Sequence, residues 1–112
     1  MLALLLCTVA YVNDGDTLRC TDGTRIRLAG IDAPELPGHC QRGRACAPGD
    51  PYRSKQALER MAVGRTLRCV PNGTSYNRVT AWCSADGRDL SCAMVMSGLA
   101  IRYDRFWRGH RC

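Results

Sequence analysis

The sequence predicts an α+β domain that is mainly β: a small five-stranded Greek-key barrel of OB type carrying two short helices. Three observations predict it. Short runs rich in β-branched and aromatic residues recur with turn signals about every ten residues. They fall in the order three strands, helix, two strands, helix, which suits such a barrel. The length of 112 residues supports one domain with one modest core.

Each element has its own local reason. Residues 7–13, CTVAYVN, are β-branched and aromatic and form the first strand. Asp14-Gly15 turns it, and Thr17–Thr21 and Thr24–Leu28 form a hairpin about Asp22-Gly23, a dipeptide that allows positive φ at both central turn positions. Within it, Arg25-Ile26-Arg27-Leu28 alternates with the period of a half-buried strand. Gly30 through Pro34 leaves the sheet, and Leu36–Gly49 is a polar loop expected to border a substrate groove. Asp50-Pro51 starts a helix as N-cap and first helical residue, Leu58, Met61 and Ala62 form its apolar stripe, and Gly64 ends it. Thr66–Val70 and Val79–Cys83 are strands, with Pro71–Ser75 a loop between them. Asp86-Gly87 turns again, and Asp89 caps a second helix with Leu90, Ala93 and Met94 inward and Gly98 at its end. The domain is expected over residues 7–101. Residues 102–112 form an irregular, bridge-tied tail, and residues 1–6 are either an export-signal remnant or an extension of the first strand.

The net charge is +6, and Lys55 is the only lysine, so the basic side is almost entirely arginine. The planar guanidinium fork suits phosphate oxygens, so the balance leans toward a polyanionic partner. A soluble, arginine-rich surface alone would give the same composition. The apolar start, MLALLLCTVA, is too short to span a membrane and lacks a basic flank. Eight cysteines without a CxxC pair favour disulfides over a zinc ribbon, hence an oxidising compartment, periplasmic or extracellular. Eight cysteines admit about a hundred pairings; the one expected is Cys40–Cys46, Cys7–Cys69, Cys20–Cys83 and Cys92–Cys112.

The chemistry concentrates in Val12–Glu35, VNDGDTLRCTDGTRIRLAGIDAPE. Folding the hairpin brings Asp16 and Asp32 to neighbouring strand ends, with Glu35 and Arg27 nearby. Carboxylates converging beside an arginine suit a hard cation and a phosphate. DGDT followed by IRLAGIDAPE, then Tyr76-Asn77-Arg78 and Ser97-Gly98-Leu99-Ala100, resembles the staphylococcal nuclease (thermonuclease) family from Val9 to Ala100. The DGDT motif alone is weak; the two motifs in order with a later arginine are specific. That family has a barrel of this type, and its usual third helix has no room here.

The resemblance implies one Ca²⁺ held by Asp16, Asp32 and the backbone carbonyl of Ala33. It implies that Glu35 acts as general base or positions the attacking water, and that Arg27 and Arg78 clamp the scissile phosphate. Asp14 is expected only to serve the turn. Thr74 stands where many relatives carry an Asp, which weakens the expected metal site. Tyr76, with Tyr103, Phe106 and Trp107 as further candidates, is placed to stack on bases, whereas Trp82 belongs to the core. His39 and His110 are expected at the surface, with His110 and Cys112 a minor alternative metal pair. The implied activity is Ca²⁺-dependent hydrolysis of single-stranded DNA and RNA, with little base preference and 3′-phosphate products. The expected protein is a monomer with no membrane and no protein partner. Two alternatives remain: a catalytically silent OB module that binds nucleic acid or protein, and a disulfide-rich binding protein that reuses the scaffold.

Overall fold

A computed structural model describes residues 3–112. Met1 and Leu2, part of the expected signal remnant, lie outside the described residues, while Leu5 and Leu6 already belong to the first strand. The strands β1 (Leu5–Asp14), β2 (Thr17–Cys20), β3 (Arg25–Leu28), β5 (Thr66–Ser75) and β6 (Arg78–Ala85) form the barrel. Their order is β3-β2-β1-β5-β6, and a parallel pairing of β3 with β6 closes it, with Ile26, Arg27 and Leu28 opposite Val79, Thr80 and Ala81. This is the expected five-stranded barrel. A two-residue strand, β7 (Arg88–Asp89), extends it beyond β6.

Helix α1 (Pro51–Ala62) starts where Asp50 accepts the backbone N–H groups of Tyr52 and Arg53. It buries Ser54, Ala57, Leu58 and Ala62, while Met61 is only partly covered. Helix α2 (Leu90–Met96) is capped by Asp89, which accepts the Cys92 N–H at 2.8 Å, and Leu90 and Met94 are fully buried. Leu18, Ile26, Leu28, Ile31, Leu58 and Leu67 fill the rest of the core. Among the described residues, no helix is long and apolar enough to cross a membrane.

Several local expectations are corrected. The Asp22-Gly23 turn has three residues, Thr21–Gly23: Cys20 N donates to Thr24 O, Gly23 N donates to Cys20 O, and only Gly23 (φ 92°) is left-handed. Asp86 and Gly87 do both take positive φ. Pro71–Ser75 is not a loop. It continues β5, because the register shifts between Pro71 and Gly73 and the ladder resumes with Gly73 opposite Thr80. Gly30–Pro34 does not leave pairing altogether either: β4 (Ile31–Asp32) pairs with β8 (Ile101–Arg102).

The bridges are Cys7–Cys20, Cys40–Cys46, Cys69–Cys83 and Cys92–Cys112. Two match the expectation, and the other two exchange partners. Cys69 lies directly opposite Cys83 in the β5–β6 ladder, with 4.0 Å between their α-carbons. Cys7 lies opposite Leu67, two residues out of register with Cys69, and so bonds across β1–β2 to Cys20. These four sulfur residues are buried and act as core side chains.

The tail is more ordered than expected. Its one turn of helix, α3 (Asp104–Trp107), sets Trp107 edge-on against Trp82, while His110 stacks on Trp82 and pairs with Asp89 at 2.6 Å. Trp107 is therefore buried and is not a stacking residue, and His110 is packed, not free at the surface. Cys112 is consumed by its bridge.

Candidate active site

The barrel carries a groove of about 790 Å³ lined by Asp14, Asp16, Arg27, Glu35, Tyr76 and Arg78. Asp16 immediately precedes β2, and its carboxylate is held from three sides. Thr17 Oγ1 donates to Oδ1 at 2.9 Å, the Ala33 N–H donates to Oδ2 at 2.9 Å, and Arg27 Nη2 lies 3.3 Å from Oδ2. Ala33, predicted as a carbonyl ligand, is thus buried beside Asp16 through its amide. Asp32, in β4, approaches the same Arg27 nitrogen at 3.7 Å, so one guanidinium spans both carboxylates. Arg27 Nη1 also donates to the carbonyls of Leu28 and Ile31, at 3.0 and 2.9 Å, which fixes the chain between β3 and β4.

Arg78 opens β6. Its Nη1 donates to Thr17 Oγ1 at 3.3 Å, its Nε to Ser75 O at 3.2 Å and its Nη2 to Ser75 Oγ at 3.2 Å. Arg27 thus bridges the acidic pair and Arg78 joins it through Thr17, so the groove gathers Asp16, Arg27, Asp32, Glu35 and Arg78, the five charged residues predicted from sequence. Tyr76, in the two-residue β5–β6 connection, takes φ 56° and is 90% exposed, with the Arg78 guanidinium 5.8 Å from its ring centre. The left-handed residue of this connection is Tyr76, although Asn77 beside it is the residue type that tolerates that conformation better. Tyr103 and Phe106 pack edge to face at 4.8 Å on the same groove wall.

The electrostatics are those of crowded, poorly solvated charge. Burial, then the adjacent Asp16, raises the Asp14 carboxyl to about 7. Asp14 Oδ1 accepts the Asp16 N–H at 3.1 Å, the turn role expected of it. Burial and Asp16 also raise Asp32, against the pull of Arg27 and Arg44. Burial and then Arg27 lower Arg78 from its ordinary value. One residue of this network has no counterpart in the sequence reading. Arg44, from the 36–49 loop, contacts Glu35 Oε1 at 2.6 Å and Asp32 Oδ1 at 3.5 Å. The other Glu35 oxygen, Oε2, is buried and has no hydrogen-bond partner among the described residues.

The all-oxygen donor set fits a hard divalent cation: two buried carboxylates, one of them raised by burial and then by its neighbour, beside a buried carboxylate oxygen without a partner among the described residues. Among the described residues, two other groups bring potential ligands within 4.8 Å of one another, Glu35/Cys40/Cys46 and Asp89/Cys92/His110. In both, the sulfurs are already in disulfides, so neither offers a thiolate.

Fold and site together define an OB-type barrel with a carboxylate–arginine groove on one face. The chain belongs to the family of staphylococcal nuclease homologues, whose family model matches residues 25–111. It is also similar to a protein of Haemophilus influenzae named "Uncharacterized endonuclease", 31% identical over 105 residues, an alignment that covers 89% of this chain and 53% of that protein. The chain thus spans about half the length of that relative.

Proposed function

We propose that the protein is a Ca²⁺-dependent phosphodiesterase of nuclease type, acting on single-stranded DNA and RNA with low base specificity. The observation that carries this reading is the groove itself. Arg27 bridges Asp16 and Asp32, Arg78 joins them through Thr17, and beside them Glu35 Oε2 lies buried without a partner among the described residues. The family membership and the endonuclease name of the similar Haemophilus influenzae protein support it.

Asp16, Asp32 and the Ala33 carbonyl would hold the cation, which when bound supplies positive charge to a phosphate oxygen. Every other part belongs to the chain. Arg27 and Arg78 donate to the non-bridging phosphate oxygens and offset the charge that grows as phosphorus becomes five-coordinate. Glu35 accepts a proton from the attacking water, or orients that water, through Oε2. Departure of the 5′-oxygen leaves a 3′-phosphate. Tyr76 receives a base beside the scissile phosphate.

Four disulfides support an oxidising compartment, the periplasm or the cell exterior, as the place of action. The protein acts as a monomer in this reading.

The test is cleavage of single-stranded DNA by oxidatively folded protein, with Ca²⁺ and with chelator, alongside Glu35→Gln. Cleavage that needs Ca²⁺ and falls at least a hundredfold in the variant, of the order expected for a general base, is the expected result. Folded protein that binds the strand without cutting it would instead make the domain a silent binding module.

A further inference from the structure

Arg44 lines the groove from a loop, whereas Arg27 and Arg78 are held in strands. It sits in the 36–49 loop, between Cys40 and Cys46, whose disulfide draws the loop back on itself. Both sulfurs lie against the Arg44 carbonyl oxygen, Cys40 Sγ at 3.8 Å and Cys46 Sγ at 3.7 Å, so the bridge seats the backbone of this residue directly. From there the side chain reaches inward. Its side chain is 41% exposed, while those of the acids it touches, Asp32 and Glu35, are 10% and 17% exposed.

An exposed arginine paired with an exposed acid contributes little. This pair differs because both carboxylates are largely withdrawn from water, where a neighbouring charge acts more strongly. The contacts have two consequences. Arg44 engages Glu35 through Oε1 only, which fixes the carboxylate and leaves Oε2 as its unpartnered oxygen. It also places a second guanidinium on Asp32, which Arg27 already approaches. Any cation drawn to Asp32 meets that positive charge.

We propose that Arg44 is a positioning residue: held by the Cys40–Cys46 bridge, it orients Glu35 and sets an upper limit on how tightly the site binds a divalent cation. The inference rests on the calcium-dependent reading above and concerns a residue that reading does not use. A guanidinium that shares a carboxylate with a divalent cation, partly screened by water, would weaken the cation's binding by roughly three- to tenfold. The planar fork is what fixes Glu35, whereas the charge alone is what repels the cation, so lysine separates the two effects.

The experiment is calorimetric titration of folded wild type, Arg44→Ala and Arg44→Lys with Ca²⁺, followed by kcat and KM on a short oligothymidylate. Arg44→Ala should bind Ca²⁺ roughly three- to tenfold more tightly than wild type while its kcat falls. Arg44→Lys should bind Ca²⁺ as wild type does, yet show the same loss of kcat. The Cys40→Ser/Cys46→Ser double variant, which keeps Arg44 but frees its loop, should shift Ca²⁺ affinity in the direction of Arg44→Ala. Wild type that binds Ca²⁺ with an unchanged affinity in Arg44→Ala overturns the Arg44 role alone. Wild type and variant that both fail to bind Ca²⁺ overturn the calcium reading together with it.

Discussion

Gly15 packs against Ser54 so closely that a Cβ on the glycine would collide with the serine Oγ and crowd the Ala33 methyl. Ser54 is fully buried on α1 and donates to the Leu99 carbonyl at 2.7 Å, so it cannot yield freely. The turn that delivers Asp16 is thus seated on the helix, and the site depends on a contact between elements that are far apart in sequence.

Gly15→Ala should therefore cost stability and activity together. Overpacking of this kind costs about 1–3 kcal/mol, and Asp16 moves with its neighbour. Adding Ser54→Gly should recover part of the loss, because it removes the atom struck. Denaturant unfolding of the single and double variants measures both.

Arg27 binds two carbonyls and two carboxylates at once, a pattern that lysine cannot reproduce. Arg27→Lys is expected to lower kcat by about a hundredfold or more and stability by about 1–3 kcal/mol. A fall in kcat with the melting temperature unchanged would detach the catalytic part of this role from the structural part.

Asp14 gives a pH dependence with a definite sign. Its folded-state carboxyl is raised to about 7 from the 3.8 of an unperturbed group. Between these values the folded protein keeps a proton that the unfolded chain has lost, so this group's contribution to stability falls as pH rises through that window and is level above it. With divalent cations chelated, Asp14→Asn should gain stability relative to wild type as pH rises from 4 to 7.5. The amide retains an oxygen for the Asp16 N–H, so the turn persists. Equal stability differences at both pH values would contradict the assignment.

Thiol attack needs access to sulfur. Cys40 is exposed and Cys46 half-buried, whereas Cys7, Cys20, Cys69 and Cys83 are at most 3% exposed. A mild reductant applied to the native protein should open Cys40–Cys46 before the two barrel bridges, which stay closed until the chain unfolds. Alkylation followed by peptide mass mapping reads the order directly.

The charged core of the site was legible because its residues stand in or beside short strands. Asp16, Arg27 and Asp32 follow from the hairpin and its alternating strand, whereas Arg78 was marked by the family resemblance of Tyr76-Asn77-Arg78. Arg44 was not legible, because it comes from a loop without periodicity and acts through a fold of the chain that the Cys40–Cys46 bridge creates. The exchanged partners of Cys7 and Cys20 have a similar origin. Pairing depends on register, and a two-residue offset across β1–β5 separates partners that strand order alone would join. Tyr76 at positive φ broke a local preference, which assigns that conformation to Asn77. The extension of β5 to Ser75 was hidden by Pro71 and Gly73, which read as loop residues but mark a register shift.

The four bridges close successive stretches of chain that never overlap: 7–20, 40–46, 69–83 and 92–112. Each links neighbours within a hairpin, a loop or the C-terminal segment, and none crosses the seam where β3 meets β6. The oxidised chain is in effect a string of four closed rings joined by open connectors. It can unroll along the β3–β6 seam and close again with every covalent bond intact, since no ring has to be threaded through another.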